Sequence, residues 1–519
     1  MDTPMHHKDF VSCFYYLELD EALLFTAVLL PEEAGLFPAV IVRTPYVNEL
    51  SALDEKAVAE MHYAEYGSLV KNKYAVVIQH CRGCGKSSGN FIPHSNERED
   101  GLHLQSWVRS KNFYNGEIFL LGSSYLSSAH YATAPFAPDI KGAVLGYQDC
   151  DNYNICYRNG FFKKALYGAW YAGVYCQKTL PERNCTPETF DILPFSEFSR
   201  TVFGMPEPSF DDILYHPYRE EDYWGPKNIV HDAGIPILFT TGFYDIYTGG
   251  VFQMWDTLDS DMREISALLV SPYGHGDDPG EVPLFPNAKL SERFGDYVTA
   301  WFNHIRFDTA LPFGTGNITY YRMFDERWQC EPALRTERRM TLPMGAQKVS
   351  YVYDPANAPE FPGGLSTNFG GAKFQPPPNF RDDVKSIYTQ PFSADVFVKG
   401  RMEAQLCVRS NQEDTCFLIR ISLSSDDGDF GLRDDIVSLC MQLGNYCPGS
   451  KAILSFCFDE HAFRIQKGQR LRIDIASADN LHYVRHINQK GLFSKQVSAV
   501  PAYNEVFLED SFLTLPVES

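Results

Sequence analysis

Apolar and polar positions are patterned in three different ways along the chain. From about residue 17 to 146, short apolar runs alternate with stretches of helical spacing. Residues 37–42, 74–79, 117–121 and 141–147 read as strands that are apolar on both faces, whereas 52–70 and 100–108 repeat apolar residues every three or four positions. Strands apolar throughout are buried on both sides, which is the condition of a parallel sheet covered by helices. The rhythm stops near Gln148. It resumes with strands predicted at 235–240 and 266–271 and helices at 249–258 and 288–305.

The stretch 149–223 lacks a convincing strand pattern and places aromatics at helical spacing, among them Tyr153, Tyr157, Tyr167, Trp170 and Tyr171. It predicts a helical insertion capping the sheet. After about residue 314, short alternating strands dominate, predicted at 318–323, 349–353, 394–398, 404–408, 416–423, 452–458, 471–475 and 511–515, with Gly, Pro, Asn and Asp between them. That is the signature of an all-β sandwich or jelly roll. The Pro- and Gly-rich stretch 355–379 predicts a long surface loop. The expected division is an α/β domain from 1–148 and 224–313, a cap from 149–223, and a β jelly-roll (galactose-binding-like) domain from 314–519.

Charge and cysteine usage narrow the partners. A net charge of −21 repels phosphate backbones, so nucleic acid is not an expected partner. No run approaches the ~18 apolar residues of a membrane helix, and residues 1–10 lack the charged start and apolar stretch of a secretory signal. The 13 cysteines are odd in number and scattered, unlike a disulfide framework. The expectation is a cytoplasmic protein with reduced thiols, no membrane partner and no cofactor. A homodimer is compatible with this reading but nothing demands it.

The chemistry centres on Gly122-Ser123-Ser124-Tyr125-Leu126. It follows the strand predicted at 117–121 and precedes a helix predicted at 126–133. A serine there is lifted onto a sharp strand-to-helix turn, with a helix N-terminus favouring a developing anion. Leu126 departs from the small residue the general G-x-S-x-G pattern wants. A hydroxyl needs a base, and this turn type is followed in chain order by an acid and then a histidine. Asp245 lies just past the strand at 235–240, and His275 just past the strand at 266–271. The expected triad is Ser124, Asp245 and His275, with the Tyr125 backbone N–H as one oxyanion donor. Tyr46, at the end of the strand at 37–42, is the candidate for the second through its phenol.

These segments resemble the cocaine esterase / X-Pro dipeptidyl-peptidase type of α/β-hydrolase, the CocE/NonD family. The resemblance rests on Arg43-Thr44-Pro45-Tyr46, Gln79-His80-Cys81-Arg82-Gly83 through Ser88-Gly89-Asn90-Phe91, the elbow, Gly242-Phe243-Tyr244-Asp245 and Ser271-Pro272-Tyr273-Gly274-His275. It implies the same triad, a helical cap, a C-terminal jelly roll and a tyrosine oxyanion donor at Tyr46. The Ser-Tyr-Leu elbow is the family's own form, which accounts for Leu126. The chain departs from the family at His80, where Asp is usual, at Ser127, where Gly is usual, and at Phe243 and Tyr273, where Trp is usual.

Other motifs read as structural. Cys81-Arg82-Gly83-Cys84 is expected to be a glycine turn and not a redox or metal pair. Gly85-Lys86-Ser87 lacks the glycine of a phosphate loop, since His80 stands in its place. His482 and His486 lack the intervening Glu of a zinc motif, and Asp277-Asp278 reads as a solvated acidic turn.

The expected activity is hydrolysis of a small ester or amide through an acyl-enzyme. Tyr153, Tyr157, Tyr167, Trp170, Tyr171 and Phe243 are the candidates for the pocket wall. Release of X-Pro dipeptides and α-amino acid ester hydrolysis or acyl transfer are alternatives, for which Glu220-Glu221-Asp222 is the candidate amine-binding cluster. A non-catalytic binding protein would have no need of the triad.

Overall fold

The computed structural model describes residues 4–137, 139–179, 190–229, 231–279, 285, 288–365 and 370–518. Its largest element is an eleven-stranded sheet. Phe37–Thr44 and Ala75–His80 are buried along their whole length and pair in parallel, Val40 opposite Val76. Tyr114–Ser123, Ile140–Gly146, Ile237–Gly242 and Ala267–Ser271 extend the parallel series. These strands are the ones the uninterrupted apolar runs predict. Helices Glu55–Lys71, Glu97–Arg109, Thr248–Thr257 and Tyr297–Phe307 accompany them. Close packing is visible at Gly142, where a Cβ would lie 2.4 Å from Ile305 Cδ1, and at Trp301, whose Nε1 donates to Ala143 O at 2.9 Å.

Three features differ from the sequence expectation. The sheet opens with antiparallel strands, Val11–Leu19 on Ala22–Leu30 and the latter on Ala75–His80. The helix predicted at 288–305 is two helices, Leu290–Phe294 and Tyr297–Phe307, because Gly295 turns the chain at φ 63°. The third difference corrects the division at residue 314. Ile318–Arg322 pairs in parallel with Ala267–Ser271 and in turn carries Arg327–Glu331. The strand at 318 therefore belongs to the large sheet and not to the C-terminal sandwich. Ile318 to Tyr321 are all buried, as in the neighbouring parallel strands, and the alternation expected from sequence does not tell which neighbour a strand pairs with.

The remaining C-terminal strands are antiparallel. A five-stranded sheet is organised on Ala502–Pro516, which pairs with Arg339–Pro343, Lys348–Tyr353 and Glu403–Ser410. A four-stranded sheet orders Lys385–Tyr388, Arg470–Ala476, Cys416–Ser425 and Gly428–Ser438. Val396–Gly400 and His461–Ile465 form a further pair. Lys348–Tyr353 and Ala452–Cys457 alternate exposed and covered positions, as strands with one wet face do. The loop expected at 355–379 is not purely superficial in its described part: Phe361 is buried, and its N–H donates to Asp479 Oδ1 at 3.3 Å.

The insertion folds as short helices, chiefly Asn152–Cys156 and Ala169–Thr179, around an aromatic core of its own. It also holds a small hairpin, Tyr157–Arg158 on Phe161–Phe162, where none was expected. Asn159 and Gly160 turn it with φ of 47° and 84°, as an Asn-Gly tight turn does. The turn is seated on the β-sandwich: Arg158 Nε donates to Asp435 Oδ1 at 2.8 Å and Asn159 Nδ2 to Ile436 O at 2.9 Å. Residues 180–189 of the expected cap lie outside the described residues.

Candidate active site

Ser124 stands between the strand Tyr114–Ser123 and the helix Tyr125–Tyr131 with φ 59° and ψ −127°. This conformation is costly for a residue with a Cβ, by about 1–3 kcal/mol, and is held only where the surroundings dictate it. They do so through backbone contacts. Ser124 N–H donates to Gly146 O at 2.9 Å, and Ser127 N–H donates to Ser124 O at 2.9 Å. Gly122 leaves room for the turn, since a Cβ there would lie 2.6 Å from the Leu126 carbonyl carbon. Leu126 is partly buried against the core beneath.

Ser127 locks the neighbouring strand. Its buried hydroxyl lies 2.9 Å from both Gly122 O and Gly146 O and accepts from Gly146 N–H at 3.0 Å. Ser127→Ala removes that acceptor. It should cost about 1–3 kcal/mol in unfolding free energy, the penalty of an unsatisfied buried donor, while changing turnover only a fewfold. Urea unfolding beside steady-state kinetics checks this; unchanged stability would contradict the locking role.

Asp245 is fully buried just past Ile237–Gly242. Its Oδ1 accepts from His275 Nδ1 at 2.8 Å and its Oδ2 from Thr241 Oγ1 at 2.8 Å. It does not cap the following helix, whose N-cap is Tyr247. Both carboxylate oxygens therefore serve to hold the imidazole and to be held themselves. His275 is 22% exposed. The rings of Tyr147 and Tyr247 meet it edge-on, with centroids 5.7 and 5.6 Å away. The Asp245 bond at Nδ1 leaves Nε2 as the nitrogen available for proton transfer.

Tyr46 follows Phe37–Thr44, and its N–H donates to Thr44 Oγ1 at 3.1 Å. Its phenol accepts from Trp170 Nε1 at 2.9 Å and also engages the Ser124 hydroxyl. The ring borders an open cavity, so 40% of its surface is reachable by solvent. The protein mass around the phenol nonetheless pushes its pKa up to about 12, which keeps it a neutral donor. Tyr125 uses its side chain elsewhere. Its hydroxyl donates to Glu97 Oε1 at 2.7 Å and accepts from His94 N–H at 3.0 Å. Glu97 is in turn paired with the buried Arg43 at 2.8 Å. Only the Tyr125 backbone N–H, at the helix N-terminus, is left for an anion beside Ser124.

A cavity of 340 Å³ opens over Ser124, Tyr46 and His275. Of the pocket residues expected from sequence, Tyr167 and Trp170 line it. The others are placed elsewhere. Tyr153 and Tyr157 face a separate polar cavity between the insertion and the β-sandwich. Tyr171 borders two neighbouring cavities. Phe243 is 0% exposed, packed against His461. Aromatics at helical spacing build a core and line a cavity with the same pattern, so sequence did not separate them. It also missed His94, Gln148, Ile155, Leu166, Ala169, Ile246 and Tyr247, which complete the wall. Gln148, just past a parallel strand, and Tyr247, two residues after Asp245, carried a positional signal.

The competing motifs are absorbed into structure. Cys84 N–H donates to Cys81 O at 2.9 Å across a turn in which Gly83 has φ 75°. His80 is buried beside His62, Nε2 to Nε2 3.5 Å, and its Nδ1 accepts from Lys86 N–H. Burial depresses its pKa to about 3, so a neutral imidazole stands at this position. His482 pairs with Asp479 and His486 with Asp414, two separate carboxylates. Asp277 is not a solvated turn residue: it accepts from Leu290 N–H at 2.7 Å, and burial raises its pKa to about 6.

Comparison with known proteins bears on the fold and the reaction class. The family model described as X-Pro dipeptidyl-peptidase (S15 family) matches residues 20–277, a span that contains Tyr46, Ser124, Asp245 and His275. The chain is 23% identical over 528 aligned positions to the cocaine esterase of Rhodococcus sp. (strain MB1 Bresler), covering 90% of each. Two solved structures share the fold. An aminopeptidase from a marine sediment Thaumarchaeota archaeon superposes with a TM-score of 0.84 at 16% identity, covering 98% of this chain and 97% of that one. An α-amino acid ester hydrolase superposes with a TM-score of 0.82 at 16% identity, covering 99% and 98%. Among the described residues no helix is long and apolar enough to cross a membrane. With the matched model lying over the elbow and over the acid and histidine that follow it, the chain belongs to the CocE/NonD, X-Pro dipeptidyl-peptidase type of α/β-hydrolase and is a serine hydrolase.

Proposed function

We propose that this enzyme hydrolyses esters of neutral acyl groups, with Ser124 as nucleophile, His275 as general base and acid, and Asp245 as the group that orients His275. In the first half-reaction Ser124 Oγ attacks the carbonyl while His275 Nε2 takes its proton. The tetrahedral oxyanion receives the Tyr46 O–H and the Tyr125 N–H. Collapse breaks the ester bond, His275 returns the proton to the departing alcohol, and the acyl group stays on Ser124. Water, deprotonated by His275, repeats the sequence and releases the acid.

The observation that carries the choice of a neutral acyl group is the chemistry of the cavity wall. Among the described lining residues there is no carboxylate; they are aromatic, aliphatic or neutral polar, such as Tyr167, Trp170, Ile155, Ile246 and Gln148. His94 is open to solvent at the cavity mouth, yet the protein mass around its ring lowers its pKa to about 4, so it too is uncharged at neutral pH. A free α-ammonium group would lose its hydration there without gaining a counter-charge. The acidic run Glu220-Glu221-Asp222 does not supply one. Glu221 is bonded to His216 Nδ1 at 2.5 Å, and Glu220 borders the other cavity. A volume of 340 Å³ suits a small aryl or short alkyl acyl group. Thiols such as Cys150, Cys156 and Cys416 are free, which supports residence in a reducing compartment such as the cytoplasm.

The discriminating experiment compares kcat/KM for p-nitrophenyl benzoate or acetate with that for Ala-Pro-p-nitroanilide and for an α-amino acid ester. The neutral esters should be preferred by about tenfold or more. Preference for either substrate bearing a free amine would replace this reading with the peptidase or amino-ester one.

A further inference from the structure

Trp170 enters the site from the insertion. The five-residue π-turn Lys164–Gly168 runs directly into the helix Ala169–Thr179 and sets the phase in which this helix meets the cavity. The indole then touches both groups assigned to the oxyanion. Its Nε1–H donates to the Tyr46 phenolic oxygen at 2.9 Å. Its ring stacks on that of Tyr125, with centroids 5.6 Å apart and planes 23° from parallel. The Tyr125 ring is gripped further by Phe91 and His94, at 5.6 and 4.8 Å.

We propose that Trp170 is a positioning residue for the oxyanion hole: it fixes the Tyr46 phenol with its proton directed at the reacting carbonyl oxygen. This inference rests on the assignment of Tyr46 as oxyanion donor. A phenol has one proton and two acceptor sites, whereas an indole N–H donates and cannot accept. The contact therefore occupies a lone pair of Tyr46 and cannot consume its proton, which is left for the oxyanion during reaction. A donor on the phenolic oxygen also polarises its O–H and makes it a stronger donor in turn. Without the indole N–H, water takes its place, because Tyr46 borders an open cavity. Water accepts as well as donates, so it competes for the same proton.

The test removes the N–H and keeps an aromatic ring. Trp170→Phe is one variant, and 3-benzothienylalanine at position 170, which retains the bicyclic shape but has no donor, is the second. With p-nitrophenyl acetate, each should lower kcat about five- to tenfold and leave KM within about twofold. Each should also be measured in the Tyr46→Phe background, where no phenol remains to orient, and there neither should change kcat by more than about twofold. A loss of the same size in both backgrounds, or an effect confined to KM, overturns the inference, since packing or substrate contact would then explain Trp170. The benzothienyl variant decides the matter if phenylalanine disturbs the insertion. If Tyr46→Phe alone leaves kcat unchanged, the oxyanion assignment fails and this inference falls with it. If Tyr46→Phe is slow but the Trp170 effects are additive, only this inference fails.

Discussion

Ser124→Ala should lower kcat for p-nitrophenyl esters by about 10⁵-fold or more, to a residual rate set by binding and the oxyanion donors alone. Three features make the expectation large. The serine sits at the apex of a turn with φ 59°. The phenol of Tyr46 engages its hydroxyl. His275, held at Nδ1 by a fully buried Asp245, opens on the same cavity. Other hydroxyls nearby do not substitute. Ser127 and Ser128 are buried, and Ser127 is committed to the Gly146 backbone. The substitution keeps a Cβ at the strained position, so stability should move by less than about 1 kcal/mol. Circular dichroism and urea unfolding separate a chemical loss from a folding one. A variant that folds and still turns over at more than a few per cent of the wild-type rate would remove Ser124 from the mechanism.

The second large effect is expected at Tyr46. Tyr46→Phe deletes one oxygen and leaves the ring at the cavity mouth. If the phenol donates chiefly to the oxyanion, kcat and kcat/KM should fall together by about 10²–10³-fold. A loss expressed in KM alone would mean that the phenol binds the substrate carbonyl equally well before and during reaction. The Tyr125 N–H is the donor that remains, so complete inactivation is not expected. The pH dependence adds a check. With its pKa raised to about 12 by burial, Tyr46 stays protonated across the neutral range, so the wild-type profile should show no loss attributable to it below about pH 11.

Much of this was legible from the chain itself, for identifiable reasons. Parallel strands are buried on both faces, so Phe37–Thr44 and Ala75–His80 announce themselves as unbroken apolar runs. The residues assigned to the reaction sit at the carboxyl ends of such strands, where topology alone places Ser124, Asp245 and His275. Other features escaped because the deciding information is not local. Gly428–Ser438 carries Arg433, Asp434 and Asp435 in sequence and looks like a loop. The strand forms because these charges are met from other elements, Asp434 by Arg420 at 2.7 Å and Asp435 by Arg158 at 2.8 Å. The membership of Ile318–Arg322 in the large sheet is set by its pairing with Leu268–Val270, which its own alternation does not encode. The cavity wall was the least legible part. Tyr157 and Tyr167 lie ten positions apart on one aromatic stretch, yet one faces the polar cavity beside the β-sandwich and the other the cavity over Ser124. The hairpin at Asn159 and Gly160 and the π-turn at Lys164–Gly168 separate them, and neither leaves a trace in the hydrophobic period.

Covalent capture identifies the nucleophile without reference to the natural substrate. A fluorophosphonate should add one phosphonyl group per chain, and a slowly deacylating ester should leave one acyl group. Intact-mass and peptide mapping should place both on Ser124, with neither adduct formed by Ser124→Ala. Stoichiometric labelling on any other residue, or labelling undiminished in Ser124→Ala, would contradict the account.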